Sequence, residues 1–272
     1  MFLLALAVAP GIAVCLFIYS LNKYGRGSMR YLILSFVLGM AATLPAMLLQ
    51  MLAEDVRDEP SRHSILSYAW YAYIVVALSE EGSKFLVLRC YAYPKKSFGS
   101  PFDGIVYAVM IGMGFATIEN IEYVHQFGLA TGFSRFFLAI PAHASFAVLM
   151  GYPAGKAKMA HARMRDYGKA DRPHAFWLML QGLLVAVLFH GSFDFFLFLQ
   201  QNREATKYLS TGMLDFGTFA SFYIAVRLAM RAIRKHRSDL DDPDTPDESD
   251  QGEESDKLTG EWNQNTNFEK QE

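Results

Sequence analysis

Cysteine is scarce in this sequence: Cys15 and Cys90 are the only two among 272 residues. Two thiols that lie far apart in sequence, each inside or beside an apolar stretch, form neither a disulfide framework nor a metal–thiolate cluster. They therefore argue against a secreted disulfide scaffold and against thiol redox chemistry. The spacing His-Glu-x-x-His is also absent, so the usual zinc signature gives no support for a metal.

Basic residues are missing before the first apolar stretch. A cleaved secretory signal peptide carries such residues ahead of its apolar core. We therefore expect the stretch from Met1 to Leu21 to remain as a membrane anchor.

Hydrophobic residues, by contrast, make up 52% of the chain. They are concentrated in blocks long enough to cross a hydrocarbon core of about 30 Å. The sequence thus predicts an all-α, polytopic transmembrane bundle. We expect about seven spans: Met1 to Leu21, Tyr31 to Leu52, Ile65 to Tyr91, Asp103 to Phe127, Arg135 to Gly155, His174 to Gln200 and Leu209 to Met230.

Lysine and arginine follow every odd-numbered predicted span, in residues 22–30, 92–102, 156–173 and 231–237. The connection from Ala53 to Ser64 instead mixes both signs. Because basic loops stay in the cytoplasm, this pattern predicts an outside N-terminus and a cytoplasmic C-terminus in a multi-pass protein of the inner (plasma) membrane.

Acidic and polar residues replace the apolar ones near the C-terminus, so the chain divides into a membrane domain, residues 1–237, and a tail, residues 238–272. The tail cannot bury enough apolar surface to fold, and we expect it to be disordered in the cytoplasm. It is either a regulatory segment or a solvated end without a specific role. The formal net charge of −2 gives no reason to expect a nucleic acid as a partner.

Five ionisable residues fall inside the apolar blocks: Glu80, Glu81, Glu119, His143 and His190. Each costs several kcal/mol in hydrocarbon unless it faces a polar cavity, so such residues mark functional sites. A single buried histidine or glutamate can also be a packing residue bonded across helices. Their predicted depths differ by about 10 Å or less at about 1.5 Å per residue, so the four helices can contribute to one site.

Polar neighbours accompany these residues. Lys84 follows Glu80 and Glu81 by one turn and can form an ion pair with one carboxylate. Asp194 follows His190 by four residues, where a carboxylate can accept the second N–H of the imidazole. Asn120 directly follows Glu119.

Together these segments resemble the PrsW-type intramembrane proteases, a family related to the CAAX prenyl protease and bacteriocin-processing group. The resemblance is carried by four motifs: Glu80-Glu81-Gly82-Ser83-Lys84, Phe115 to Glu119-Asn120, His143 with Phe146 and Gly151, and His190 with Asp194. The ordered set, which spans the third to sixth predicted helices, is specific, whereas each motif alone is weak.

The resemblance implies peptide-bond hydrolysis in or beside the bilayer, on a single-span membrane protein such as an anti-sigma factor that receives its first cut. Glu80 or Glu81 would activate water. His143 and His190, with Glu119 as a third ligand, would bind a divalent metal such as zinc, while Lys84, Asn120 and Asp194 would support them. The same residues could also act without metal, with a glutamate base and histidines that stabilise the oxyanion.

Three other classes share some of these features. A proton-coupled transporter also buries carboxylates and histidines, but it usually shows internal repeats, and none is seen here. A bis-histidine haem protein could use His143 and His190 but would not need the paired glutamates. A membrane scaffold without catalytic activity would retain the motifs but not the turnover.

Overall fold

The structure is a computed structural model that describes residues 2–21, 28–57, 64–167, 172–202 and 205–240. Within these ranges all regular secondary structure is helical, which confirms the all-α polytopic class. The α-helices are α1 (Phe2–Leu21), α2 (Met29–Ala41), α3 (Thr43–Arg57), α4 (Ile65–Trp70), α5 (Leu78–Val87), α6 (Pro101–Phe127), α7 (Leu129–Phe137), α8 (Ala139–Tyr167), α9 (Arg172–Leu199), α10 (Ala205–Tyr208) and α11 (Thr211–Leu240).

Among these described residues, six helical stretches are long and apolar enough to cross a membrane. They are Leu3–Leu21, Met29–Ala53, Pro101–Phe127, Leu129–Ala162, His174–Leu199 and Thr211–Lys235. They correspond to six of the seven predicted spans. The predicted third span does form a continuous helical path over residues 65–92. It carries Glu80, Glu81, Lys84 and Arg89, whose charge lowers its hydropathy, so its crossing of the membrane stays a prediction.

Helix α6 lies at the centre of the bundle and packs against α8, α2 and α1. Its first turn is fixed by a capping box in which Ser100 and Asp103 satisfy each other's backbone N–H groups, with Pro101 at the first helical position. The helix ends at Gly128, whose φ of +80° suits a residue without a side chain. Because 89% of its most apolar stretch is buried, α6 is the central helix against which the others pack.

Small residues allow α6 and α8 to approach closely. A Cβ on Gly104 would lie 2.2 Å from the Gly151 carbonyl oxygen, and a Cβ on Gly151 would lie 2.3 Å from that of Gly104. Neither position has room for a methyl group. The contact therefore brings the backbones of the two helices together, as small residues do in membrane bundles, and fixes α8 relative to α6.

The helical path 65–92 is not uniformly α-helical. Two π-helical segments, Tyr71–Ala77 and Leu88–Ala92, flank α5. Tyr73 of the first segment covers Gly191 of α9, where a Cβ would lie 2.3 Å from its ring, and its hydroxyl is 2.7 Å from Ser192 Oγ. π-Helical turns often occur at functional sites, and here they lie on either side of the paired glutamates.

The predicted fifth span, Arg135 to Gly155, differs most from the structure. Its N-terminal end belongs to a separate helix, α7, and α8 continues beyond Gly155 to Tyr167. The first of two compact units of the chain ends at Ile233, and the second begins at Arg234. Residues 238–240, predicted as the start of the tail, are helical in α11, and the remainder of the predicted tail lies outside the described residues.

Candidate active site

Glu81 of α5 is the most enclosed carboxylate of the site, with a side chain that is 1% exposed. Its Oε1 atom accepts hydrogen bonds from Lys84 Nζ at 2.7 Å and from His190 Nδ1 at 2.9 Å. Its Oε2 atom is buried and has no hydrogen-bond partner. Because a buried oxygen without a partner costs about 1–3 kcal/mol, this atom is suited to bind a water, a metal or a substrate group.

Glu80, the residue before Glu81, is held more loosely. Its contacts are Lys84 Nζ at 3.3 Å, Gln50 Nε2 at 3.3 Å and His190 Nε2 at 3.9 Å. All three are longer than the two contacts that Glu81 Oε1 makes. The adjacent glutamates therefore have different environments, as expected for neighbours that point about 100° apart on a helix.

His143 of α8 and His190 of α9 meet across these carboxylates, with ring centroids 5.3 Å apart in an edge-on arrangement. Phe146 stacks on the His190 ring at 5.1 Å. Lys84 Nζ lies 3.3 Å from His143 Nδ1 and 4.1 Å from the centre of the Phe115 ring. An ammonium can only donate, so Nδ1 of His143 is the acceptor and the neutral ring carries its proton on Nε2.

His190 is held between two acids. Its Nδ1 faces Glu81 Oε1, and its Nε2 lies 3.2 Å from Asp194 Oδ2. A carboxylate oxygen thus lies within reach of each ring nitrogen, so whichever nitrogen carries a proton has an acceptor. The predicted one-turn contact between His190 and Asp194 is thus present in the structure.

Glu80, Glu81, His143 and His190 form a buried group in which one ligand atom from each residue lies within 4.8 Å of the others. Two imidazole nitrogens and two carboxylate oxygens are a donor set that zinc accepts. Lys84 lies among the same groups and places an ammonium against both carboxylates. The geometry therefore offers two ways to neutralise the site, a bound metal or the lysine.

Glu119, predicted as a third metal ligand, is outside this four-residue group. Its Oε2 lies 2.9 Å from His143 Nε2, and its Oε1 lies 3.0 Å from Arg135 Nη2. It contacts the ring nitrogen of His143 that does not face Lys84. The following residue, Asn120, is fully buried, and its Nδ2 donates a hydrogen bond to the Ala7 carbonyl oxygen at 2.9 Å.

Sequence reasoning missed two polar residues that contact the predicted ones. Gln50 of α3 lies 3.3 Å from both Ser79 Oγ and Glu80 Oε1. Arg135 of α7 contacts Glu119 and Asn120. Both are polar residues within or at the end of a predicted apolar block, and this was the same signal that identified the glutamates and histidines.

Comparison with known proteins agrees with this arrangement. The profile of the family described as PrsW family intramembrane metalloprotease matches residues 27–226. The chain belongs to the PrsW family. That match contains α5, α6, α8 and the residues of α9 that form the site, and it confirms the family that the four motifs indicated.

Several named relatives cover most of the chain. Protease PrsW of Geobacillus kaustophilus (strain HTA426) is 31% identical over 201 residues, which are 73% of this chain and 81% of the relative. Protease PrsW of Bacillus subtilis (strain 168) is 32% identical over 195 residues, 72% and 82% of the two chains. That of Clostridioides difficile (strain 630) is 31% identical over 202 residues, 73% and 80%. No solved structure matches.

PrsW membership settles the enzyme class: the chain is a protease and a multi-pass membrane protein. The buried glutamates and histidines of this PrsW protease are a group that can bind a metal.

Proposed function

We propose that the protein is an endopeptidase of the cell membrane that makes the first cut in a single-span, membrane-anchored substrate of the anti-sigma factor class. The predicted orientation supports a cut on the outer side, because counting residues along the predicted fifth and sixth spans in that orientation places His143 and His190 slightly outside the midplane. The bilayer is the second partner, since it presents the substrate to the enzyme.

One observation carries this proposal: Glu80, Glu81, His143 and His190 are all buried and converge from three helices to within 4.8 Å. Burying so many ionisable groups in a membrane bundle is costly, and such sites are kept for function. A carboxylate beside histidines also suits peptide hydrolysis. The carboxylate can take a proton from water, and the histidines can stabilise the charge on the carbonyl oxygen.

In this mechanism Glu80 is the general base. Its longer contacts leave it freer than Glu81 to take a proton from water, whose oxygen attacks the scissile carbonyl carbon. When the tetrahedral intermediate collapses, the carbon–nitrogen bond breaks and the proton passes from Glu80 to the leaving amine. Glu81, bound to Lys84 and His190 through Oε1, holds both of those residues in place.

The histidines stabilise the negative charge that develops on the carbonyl oxygen. For this, Nε2 of His190 would exchange its 3.2 Å contact with Asp194 Oδ2 for a hydrogen bond to that oxygen. If the family's metal is bound, Glu81, His143 and His190 would hold it, and it would polarise the carbonyl and the water. In that case Glu119 orients His143 from its Nε2 side rather than serving as a ligand.

A small cavity of about 10 Å³ adjoins the site and is lined by Glu81, Lys84, Gly112 and Ala147, among others. This volume is at the lower limit for one water molecule. It can hold a water against the unpartnered Oε2 of Glu81; because Glu80 does not line the cavity, this water is distinct from the one that Glu80 activates.

The test is cleavage of a panel of single-span, anti-sigma-like substrates in reconstituted liposomes. Wild type is compared with the double variant Glu80→Ala, Glu81→Ala, each with and without a membrane-permeant chelator. The proposal requires cleavage by wild type and its loss in the variant. Chelator sensitivity would then favour the metal-dependent mechanism, and insensitivity would favour the glutamate base with histidine donors.

Product mass spectrometry of the same samples locates the cut. A site on the outer side of the substrate's span agrees with the predicted orientation, whereas a site on the cytoplasmic side contradicts it. Cleavage of other single-span proteins but not of the anti-sigma-like members would retain the endopeptidase and reject the substrate class.

A further inference from the structure

Arg135 lies in the last turn of α7 and points into the bundle, with a side chain that is 12% exposed. Its Nη2 forms an ion pair with Glu119 Oε1 at 3.0 Å. Its Nε donates a hydrogen bond to Asn120 Oδ1 at 2.8 Å. The guanidinium also lies 4.1 Å from the centre of the Tyr123 ring. Three residues of α6 therefore fix one arginine of α7.

Asn120 makes this contact rigid. Its amide nitrogen donates to the Ala7 carbonyl of α1 at 2.9 Å, which directs its oxygen toward Arg135. Because the amide is fully buried, turning it over would break both hydrogen bonds at once. Arg135 is thus held by a group that is itself tied to a third helix.

Glu119 links Arg135 to the site. One carboxylate oxygen faces Arg135 and the other lies 2.9 Å from His143 Nε2. Since Lys84 donates to Nδ1 of His143, the ring proton sits on Nε2, which lies 2.9 Å from Glu119 Oε2 in a charge contact that is not an aligned hydrogen bond. A carboxylate held on one side by a planar guanidinium has little freedom on the other. Its charge beside Nε2 therefore favours the orientation and the tautomer of His143 in which the ring proton is on Nε2.

We propose that Arg135 is a positioning residue of the proteolytic site, which acts by holding Glu119 against Nε2 of His143. This inference rests on the proposed role of His143 in cleavage. Arg135 does not touch the reacting atoms. Without it, Glu119 would lose its cation and could swing away, and His143 would lose the partner that fixes its tautomer.

The kinetic test compares wild type, Arg135→Gln and Arg135→Lys on one substrate in liposomes, with Arg227→Gln as the matched control. Arg227 also contacts a tyrosine ring, that of Tyr223 at 5.8 Å, but it lies on α11. We expect Arg135→Gln to lower kcat about 10–100-fold, the usual effect of losing a residue that orients a site histidine, with little change in KM. Arg135→Lys should recover part of the loss because its charge can still pair with Glu119.

A double-mutant cycle separates positioning from general damage to the bundle. If Arg135 acts through Glu119, adding Arg135→Gln to a Glu119→Gln protein should lower kcat much less than it does in wild type. If the two losses multiply, or if kcat of Arg135→Gln equals that of wild type and of Arg227→Gln, the inference is overturned.

A readout that needs no turnover distinguishes this inference from the proposed function. Diethylpyrocarbonate acylates accessible imidazole nitrogens, and peptide mass spectrometry resolves His143 from His190. We expect His143 in Arg135→Gln to react several-fold faster than in wild type or Arg227→Gln, because a ring without a fixed tautomer can present an uncovered, unprotonated Nε2, which is the form that the reagent acylates. If no protein cleaves the substrate but His143 still reacts faster in Arg135→Gln, the proposed proteolytic function is rejected and the positioning role of Arg135 stands. An unchanged reaction rate would overturn the positioning role.

Discussion

Replacing Lys84 with methionine should destabilise the bundle strongly. Lys84 is 5% exposed and its ammonium lies 2.7 Å from Glu81 Oε1 and 3.3 Å from Glu80 Oε2. Methionine retains much of the volume but leaves two buried carboxylates without this cation. Removing one partner of a buried ion pair costs about 3–5 kcal/mol, because the remaining charge stays in a poorly solvated site.

Thermal unfolding of the purified protein in detergent measures this effect. At about 2–4 °C per kcal/mol for a domain of this size, the melting temperature should fall by about 6–20 °C. Lys156→Met, at an exposed position on α8, is the matched control and should change stability by about 0.5 kcal/mol or less. The double variant Lys84→Met, Glu81→Gln should melt higher than Lys84→Met alone, since it no longer buries an unpaired Glu81 charge.

The reasoning would be refuted by a Lys84→Met protein that melts together with Lys156→Met. That result would mean that another cation, or protonation of the glutamates, neutralises the site. A double variant that is less stable than Lys84→Met would show that Glu81 stabilises the fold by contacts other than its pair with the lysine.

Three further predictions concern the site and the helix contact behind it. His143→Ala and His190→Ala should each abolish cleavage at normal membrane abundance, and full activity in either protein would contradict a shared site. Asp194→Asn should lower kcat about 10–100-fold in the liposome assay, because His190 Nε2 loses a carboxylate acceptor at 3.2 Å. Gly151→Ala should lower stability by about 1–3 kcal/mol in detergent melts, since its Cβ would lie 2.3 Å from a backbone oxygen. Gly82→Ala, which meets nothing within 4 Å, is the control and should melt like wild type or slightly higher.

Sequence reasoning located the glutamates and histidines because the bilayer makes ionisable residues conspicuous in apolar blocks. The relation of Lys84 to both glutamates follows from helical spacing alone, and the structure has both contacts. The contact of His190 with Asp194 was predictable for the same reason. Local periodicity is therefore enough where both partners lie on one helix.

Contacts between helices could not be predicted in this way. Glu119 was expected at a metal, but its place beside Arg135 depends on how α7 folds back against α6. Composition alone predicts Arg135 as the start of a span, because it does not show that α7 and α8 are separate helices. The π-helical segments around α5 were likewise not predicted from the sequence.

The most direct test of the buried cluster as the hydrolytic site is cleavage by Glu80→Gln, measured in liposomes beside wild type and Glu122→Gln. Glu122 lies on α6 and contacts Gln126 rather than the cluster. The substitution at Glu80 keeps the shape of the side chain but removes its ability to take a proton from water. The account predicts loss of cleavage in Glu80→Gln and normal cleavage in Glu122→Gln. Cleavage by Glu80→Gln at the wild-type rate would contradict it.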